Sequence, residues 1–352
     1  MKTAEVRLGQ PPASGLASSV LTRDLDVTGE HWLKGRRLTP GDLQRIATAL
    51  PQVGRPITVL IPDGEDIHED EAAQRIAAAV MGPGLAIGDP AQSRIDLRAL
   101  HAGLVRIDVG AIDRLNAIDP VEVFTVFDGL VVGQGALVAS VKIAPHLVPE
   151  DVLVKMKRVA DRADRRGVIS VVPFGTRRIA AIVKESIRGI ARDRFEASLH
   201  AKIEGLGSTF IGIDYVEDEP EPVEAALRRR ARGRGTGRAD LVLTAGSSST
   251  DPLDPFFRAI GALGGNLVRH GVPAHPGSML WLARVGKVPI IGLPSCGAYS
   301  KATAADLLLP RLLAGQPASV RTVARLGHGG ILTRDQRFRF PPYARDLDAP
   351  DG

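Results

Sequence analysis

The stretch LVLTAGSSSTDPLD, Leu241 to Asp254, decides the fold. Apolar and β-branched residues run unbroken from Leu241 to Thr244. The chain then turns through Ala245 and Gly246 into Ser247, Ser248 and Ser249, with Asp251 and Asp254 close behind. An uninterrupted apolar run is what a strand buried on both faces requires. Small residues after it let a ligand approach the backbone. A helix starting just beyond would offer free N–H groups and a positive dipole end, a cradle suited to a phosphate. The serine hydroxyls can donate to a phosphate or to a ring heteroatom. The aspartates would repel phosphate. They read either as N-caps of a helix beginning near Pro252 or Pro255, or as groups facing a metal or a ring N–H.

The same texture extends on both sides. From about Gly167, the strand-like runs VISVVPF, RIAAIVK, STFIGIDYV, ADLVLTAG and VPIIGLP alternate with helical segments. Those segments are ESIRGIARDRFEASLHAKIEGLG, EPEPVEAALRRRAR, DPLDPFFRAIGALGG and YSKATAADLLLPRLLAG. This alternation predicts a three-layer, doubly wound α/β domain with a mostly parallel sheet. Ligands of such sheets bind beyond the carboxyl ends of the strands. A second loop, GLPSCGAYS from Gly292 to Ser300, leaves such an end after VPII.

The N-terminal half reads differently. In RRLTPGDLQRIATAL, Thr39 suits an N-cap and Pro40 the first helical position. RPITVLIP follows as a strand and DIHEDEAAQRIAAAVMG as a helix with acids in its first turn. From Ala102 to Pro149, β-branched runs broken by Gly, Asp and Pro predict short strands. The expected divisions are a small α/β region at 1–100, a β-rich module with a connecting helix at 101–165, the α/β domain at 166–316 and a tail at 317–352.

The bulk composition narrows the function classes. The chain has 352 residues, 44% hydrophobic and 24% charged, with net charge +5 and one cysteine. A lone Cys296 allows no internal disulfide, which fits a reducing cytoplasm. The N-terminus lacks the apolar core of a signal peptide, and no apolar run reaches the roughly 18 residues that span a bilayer. The basic run RRRARGRGTGR, Arg228 to Arg238, could neutralise phosphates. It contains no aromatic residue and lies in no nucleic-acid module, so a solvated helix end, or local attraction of an anionic ligand, is expected instead of nucleic acid. Cys296 as a nucleophile would need a base, and His270 and His275 are near in sequence; the plainer reading is a packed small residue. No His, Cys, Asp and Glu cluster has zinc spacing. Trp281 and Met279 are expected to pack.

Taken together, the segments resemble the molybdopterin-binding domain family of molybdenum-cofactor biosynthesis, the MogA/MoeA-like fold. That family has a T-G-G-x-S loop followed by an aspartate, a helix ending L-G-G, then P-G-K-P, then G-L-P-G-N-P. TAGSSSTDPLD, ALGGNLVRHGVPAHPGSM and IIGLPSCGAYS stand here in that order. Thr244, Gly246, Pro276, Gly277, Gly292, Leu293 and Pro294 match, while Ala245 replaces a glycine. Ser278 and Met279 replace lysine and proline, and Ser295, Cys296 and Gly297 replace Gly-Asn-Pro. The missing lysine removes a point charge for phosphate; Lys301 could stand in for it. Glu185 is a loose match to the family's T-G-D-E element. The segments VASVKIAP (Val138 to Pro145), PGSML and GHGGIL (Gly327 to Leu332) are similar to a bacterial branch often fused to a nucleotidyltransferase.

The resemblance implies that the chain binds molybdopterin or the molybdenum cofactor, with Mg2+ a candidate companion. The implied binding residues are Thr244, Ala245, Gly246, Ser247, Ser248, Ser249, Pro276, Gly277, Ser278, Gly292, Leu293, Pro294, Ser295 and Cys296. If the domain catalyses a step it would be of transferase type, with Asp251 and Asp254 as the catalytic candidates. The implied partners are a separate nucleotidyltransferase or a molybdoenzyme, and a homo-oligomer is consistent with the family. The competing expectations are an adaptor that keeps the fold without the ligand, and an arginine-driven nucleic-acid binder.

Overall fold

The computed structural model describes residues 2–51, 55–91, 93–184, 190–293 and 302–345. The chain divides into two compact units. One comprises Met1–Leu100, Arg106–Asp128 and Gln134–Val171; the other comprises His101–Val105, Gly129–Gly133 and Val172–Gly352.

In the first unit, an antiparallel sheet pairs Lys2–Val6 and Val20–Leu21 with Ile57–Ile61. The helix Pro40–Thr48 begins as expected, on a capping box between Thr39 and Asp42. Val6, Leu21, Leu38, Ile46 and Val59 bury against Trp32. A second antiparallel sheet runs Val121–Thr125, Leu137–Ile143, Arg94–Ala99, Leu85–Ile87; the helix Glu69–Val80 lies against it, and the helix Glu150–Ala160 packs on that helix. One element departs from the expected run of short strands. Val109–Asn116 is a helix, started by Asp108 accepting from Ala111 N at 2.9 Å. It is fixed at its end by the Asn116 amide, which bonds both Val123 N and Val123 O.

The second unit holds a six-stranded sheet. Its strands, in chain order, are β1 (Arg178–Val183), β2 (Thr209–Tyr215), β3 (Leu241–Ala245), β4 (Asn266–His270), β5 (Trp281–Val285) and β6 (Val288–Gly292), and their spatial order is β2-β1-β3-β6-β5-β4. Four of the five strands predicted from sequence, β1, β2, β3 and β6, pair in parallel; the fifth, Ile169–Val172 of VISVVPF, lies outside this sheet. The sequence pattern did not predict β4 and β5, which add an antiparallel edge. A two-residue connection, Gly286-Lys287, joins β5 to β6. Gly286 takes φ +60, the region that tight hairpin turns favour.

The α-helices among the described residues are α1 (Ile190–Glu204), α2 (Pro220–Leu227), α3 (Pro255–Ala262), α4 (Ala304–Leu313), α5 (Val320–Ala324) and the single turn α6 (Pro342–Arg345). Successive side chains of β1 point to opposite faces. Ile179, Ala181 and Val183 join Phe195, Leu199 and Ile203 of α1 and Leu308 and Leu312 of α4. Ala180 and Ile182 join Val223 and Leu227 of α2 and Phe256 and Ile260 of α3. Helices therefore cover both sheet faces, which is why the strands carry no polar alternation. Each fully buried Leu, Ile or Phe contributes about 1.5–3 kcal/mol relative to exposure. The segment expected as a tail is part of this core: Val323, Leu326, Leu332, Phe340 and Ala344 pack with α1 and α4. Among the described residues, no helix is long and apolar enough to cross a membrane.

Candidate functional site

Strand register brings the candidate loops to one edge. Val183 of β1 pairs with Ala245 of β3, and Thr244 with Gly292 of β6. These strands are parallel, so their carboxyl ends lie side by side. Trp281, the first residue of β5, pairs with Gly292 and with His270, the last of β4. The exits at Lys184, Gly246 and Leu293 and the entry at Ser278–Leu280 therefore share the carboxyl edge. Leu293 N donates to Thr244 O at 2.8 Å, tying two of these loops together. Strand order reverses between β1 and β3, the switch point where α/β sheets open a crevice. Pro294, Ser295, Cys296, Lys301 and Glu185 lie outside the described residues.

The serine loop is only partly spent on structure. Gly246 takes φ +87, which turns the chain off the strand. Ser247 Oγ accepts from the Trp281 indole at 2.9 Å. Ser248 N donates to Asp254 Oδ2 at 2.7 Å. Among the described residues, the Ser248 and Ser249 hydroxyls carry no hydrogen bond. Thr244 Oγ1 lies wholly buried, with no partner among the described residues. Ala245 is a core residue.

Several expected contact residues have structural roles. A Cβ on Gly292 would lie 2.0 Å from the Trp281 ring, so this glycine makes room for the indole. A Cβ on Gly277, at φ +103, would lie 2.8 Å from Ala304 N; that N–H in turn donates to Pro276 O at 2.9 Å. The PGSM turn thus packs on the start of α4. Ser278 O accepts from Val272 N, leaving its side chain partly exposed. Trp281 is buried and meets Phe256 and Phe257, whereas Met279, expected to pack, is exposed. The described residues place no base near a thiol, since Cys296 is outside them and His275 is exposed.

The two aspartates part company. Asp254 is the N-cap of α3: Oδ1 accepts from Phe256 N at 2.9 Å, and Oδ2 from Ser248 N and from Lys184 Nζ at 2.9 Å. Its side chain is 1% exposed. With both oxygens committed, Asp254 serves as a capping residue and ion-pair partner instead of a catalytic one. Asp251 is exposed, and among the described residues its side chain accepts only from Leu253 N.

Lys184 and Asp218 went unread in the sequence. Lys184 follows β1 with a side chain 2% exposed, and its ammonium donates to Asp254 and, at 2.5 Å, to Asp218. Asp218, in the loop after β2, is 65% exposed. The only available signal was a lysine closing an apolar parallel strand at the reversal of strand order. At the rim, Tyr215 donates to Glu196 at 2.9 Å beneath Arg192. Burial and then the Glu196 carboxylate push Tyr215 up to about 12, while the Arg192 and Tyr215 bonds hold Glu196 below its usual range.

The arginine run is largely engaged within the fold. Arg228 pairs with Glu224. Arg229 and Arg230 both hold Asp214 of β2, at 2.8 and 2.7 Å. Arg232 donates to Leu263 O. Arg234 and Arg238 make no side-chain bond among the described residues. No group of three or more His, Cys, Asp or Glu suited to a metal occurs among the described residues.

Comparison with known proteins bears out the resemblance for this unit. Residues 171–314 match the model of a family described as a probable molybdopterin binding domain. Among solved structures, a molybdopterin biosynthesis moea protein from Pyrococcus horikosii is 15% identical. That match covers 74% of this chain and 81% of that one, with a TM-score of 0.28. A superposition that loose assigns no residue a role. No curated protein matches the chain.

Proposed function

We propose that the second unit binds molybdopterin or the finished molybdenum cofactor at the carboxyl edge of its sheet and presents it to a separate nucleotidyltransferase or molybdoenzyme. The supporting observation is the strand register that gathers the Gly246–Ser249, Pro276–Ser278 and Leu293 loops. The residues there suit a polar, phosphorylated ligand. Among the described residues two serine hydroxyls are unspent and a buried threonine hydroxyl has no partner, the kind of group a ligand or water satisfies. Ser248 and Ser249 supply donors to the ligand, and Gly246 lets it approach the backbone. Thr244 forms the floor. Gly277 and Ser278 make one wall and Leu293 begins the other, with Pro294, Ser295 and Cys296 following it in sequence. Ala245, Pro276 and Gly292 shape this site from within the fold.

Equilibrium titration of the folded protein with molybdopterin tests this. Saturable binding at micromolar concentration is expected, weakened about tenfold in a Ser248→Ala, Ser249→Ala double variant, at about 0.5–1.5 kcal/mol per lost hydrogen bond. A flat titration with the protein folded ends the reading.

A further inference from the structure

We infer that Asp218 occupies the seat of an anionic ligand group, and that a phosphate binds by displacing it from Lys184. This rests on the placement of the ligand site at the same sheet edge. The ammonium of Lys184 is buried, yet one of its two partners stands in water. The other partner, Asp254, is fixed, because a loop N–H and a helix N–H also bind it. Asp218 makes no other side-chain bond among the described residues, so the lysine alone holds it.

Charge points the same way. One ammonium faces two carboxylates, a net excess of one negative charge at a place otherwise furnished with donors. A second anion could not be added without repulsion, but it could replace the first. A phosphate in that seat exchanges one anion for another and carries more acceptor oxygens. Ser248 N and Lys184 Nζ share a single oxygen of Asp254, so the ammonium lies no more than two hydrogen bonds from the serine loop. A ligand touching the unspent Ser248 and Ser249 hydroxyls is therefore within reach of Lys184 once Asp218 has moved. Lys184 would then provide the point charge that Ser278 does not.

The experiment compares the full chain with its Asp218→Asn and Glu217→Gln variants, each titrated with inorganic phosphate. A ligand that must first displace a resident group binds weaker by the fraction of time the seat is free, so emptying the seat is expected to tighten phosphate binding about tenfold. Glu217 is exposed and makes no side-chain bond among the described residues, so Glu217→Gln removes a neighbouring charge without touching the seat, and its affinity should stay within about twofold of the parent. Equal affinity in Asp218→Asn and the parent, equal gains in both variants, or no phosphate binding by any of the three overturns the inference. A parallel titration with molybdopterin separates the two readings. If it fails throughout while phosphate shows the Asp218-specific gain, the pterin reading falls and the anion seat stands. If molybdopterin binds while phosphate shows no such gain, the reverse holds.

Discussion

Two buried lysine–aspartate pairs lie in the same domain and differ in one respect. Lys184 pairs with Asp254, and Lys202 of α1 pairs with Asp306 of α4 at 2.5 Å. In both pairs the aspartate also caps a helix start: Asp254 takes Phe256 N, and Asp306 closes a capping box with Thr303. Each ammonium also lies near an aromatic ring, Phe256 for Lys184 and Tyr343 for Lys202. The difference is the third neighbour. Among the described residues Lys202 has no second carboxylate, and it meets Tyr343, in the C-terminal segment packed on the core. Lys184 has a second carboxylate standing in solvent. Burial and pairing are common to both, so neither marks a site. What sets Lys184 apart is its position at the strand carboxyl ends and a partner that stands in solvent.

The largest effect should come from opening the closed pair. Asp306→Ala leaves Lys202 buried without a carboxylate and is expected to cost about 3–5 kcal/mol of unfolding free energy, measured by urea titration. Asp254→Ala should cost less, about 2–3 kcal/mol, although it also removes a helix cap. Asp218 remains to neutralise Lys184, and water can follow it in. Equal losses would show that the two pairs are equally closed and remove the distinction.

Tyr343 offers a pH test of the closed pair. Burial, with the Asp306 carboxylate beside it, pushes its hydroxyl well above the ordinary 10.0. A group whose folded value is raised stabilises fully below its unfolded value, and that stability is lost as pH rises toward the folded one. At pH 11 the unfolded tyrosine is mostly ionised while the folded one is not, so Tyr343 should account for about 1 kcal/mol of the parent's loss relative to pH 8. Tyr343→Phe should lack that share and keep the one due to Tyr215, which is also raised. Parallel melting curves at pH 8 and pH 11 check it, and an identical pH response in the variant would place Tyr343 outside the cluster.

How far sequence alone reaches follows the range of each interaction. The parallel strands and the caps at Thr39 and Asp254 are local patterns of a few residues and could be read directly. The strands Asn266–His270 and Trp281–Val285 could not. The first is a short edge strand with a half-exposed pattern, and the second is hidden among glycines and prolines. The helix Val109–Asn116 was masked by its β-branched residues and depends on a bond to Val123. The Lys184 cluster is the extreme case: its partners are 34 and 70 residues away, and only the parallel register of β1 and β3 brings Asp254 within reach. A terminal lysine with no partner in its own segment reads as a solvated strand end. The same holds for the arginine run, whose binding of Asp214 depends on folding β2 against the end of α2.

The smallest effect is the most discriminating. Asp218→Ala removes a carboxylate that touches a buried ammonium, which for a structural ion pair would be costly. The side chain is 65% exposed and Asp254 stays in place, so Lys184 keeps its fixed counter-charge and gains water where the second stood. Unfolding free energy should move by no more than about 0.5 kcal/mol, the range of an ordinary surface substitution. Measured at low and high salt, it should move slightly toward greater stability at low salt, because the net negative excess at the cluster is relieved. A loss on the scale expected for Asp306→Ala would mean that Asp218 holds the fold together as Asp306 does, and the open pair would be a second closed one.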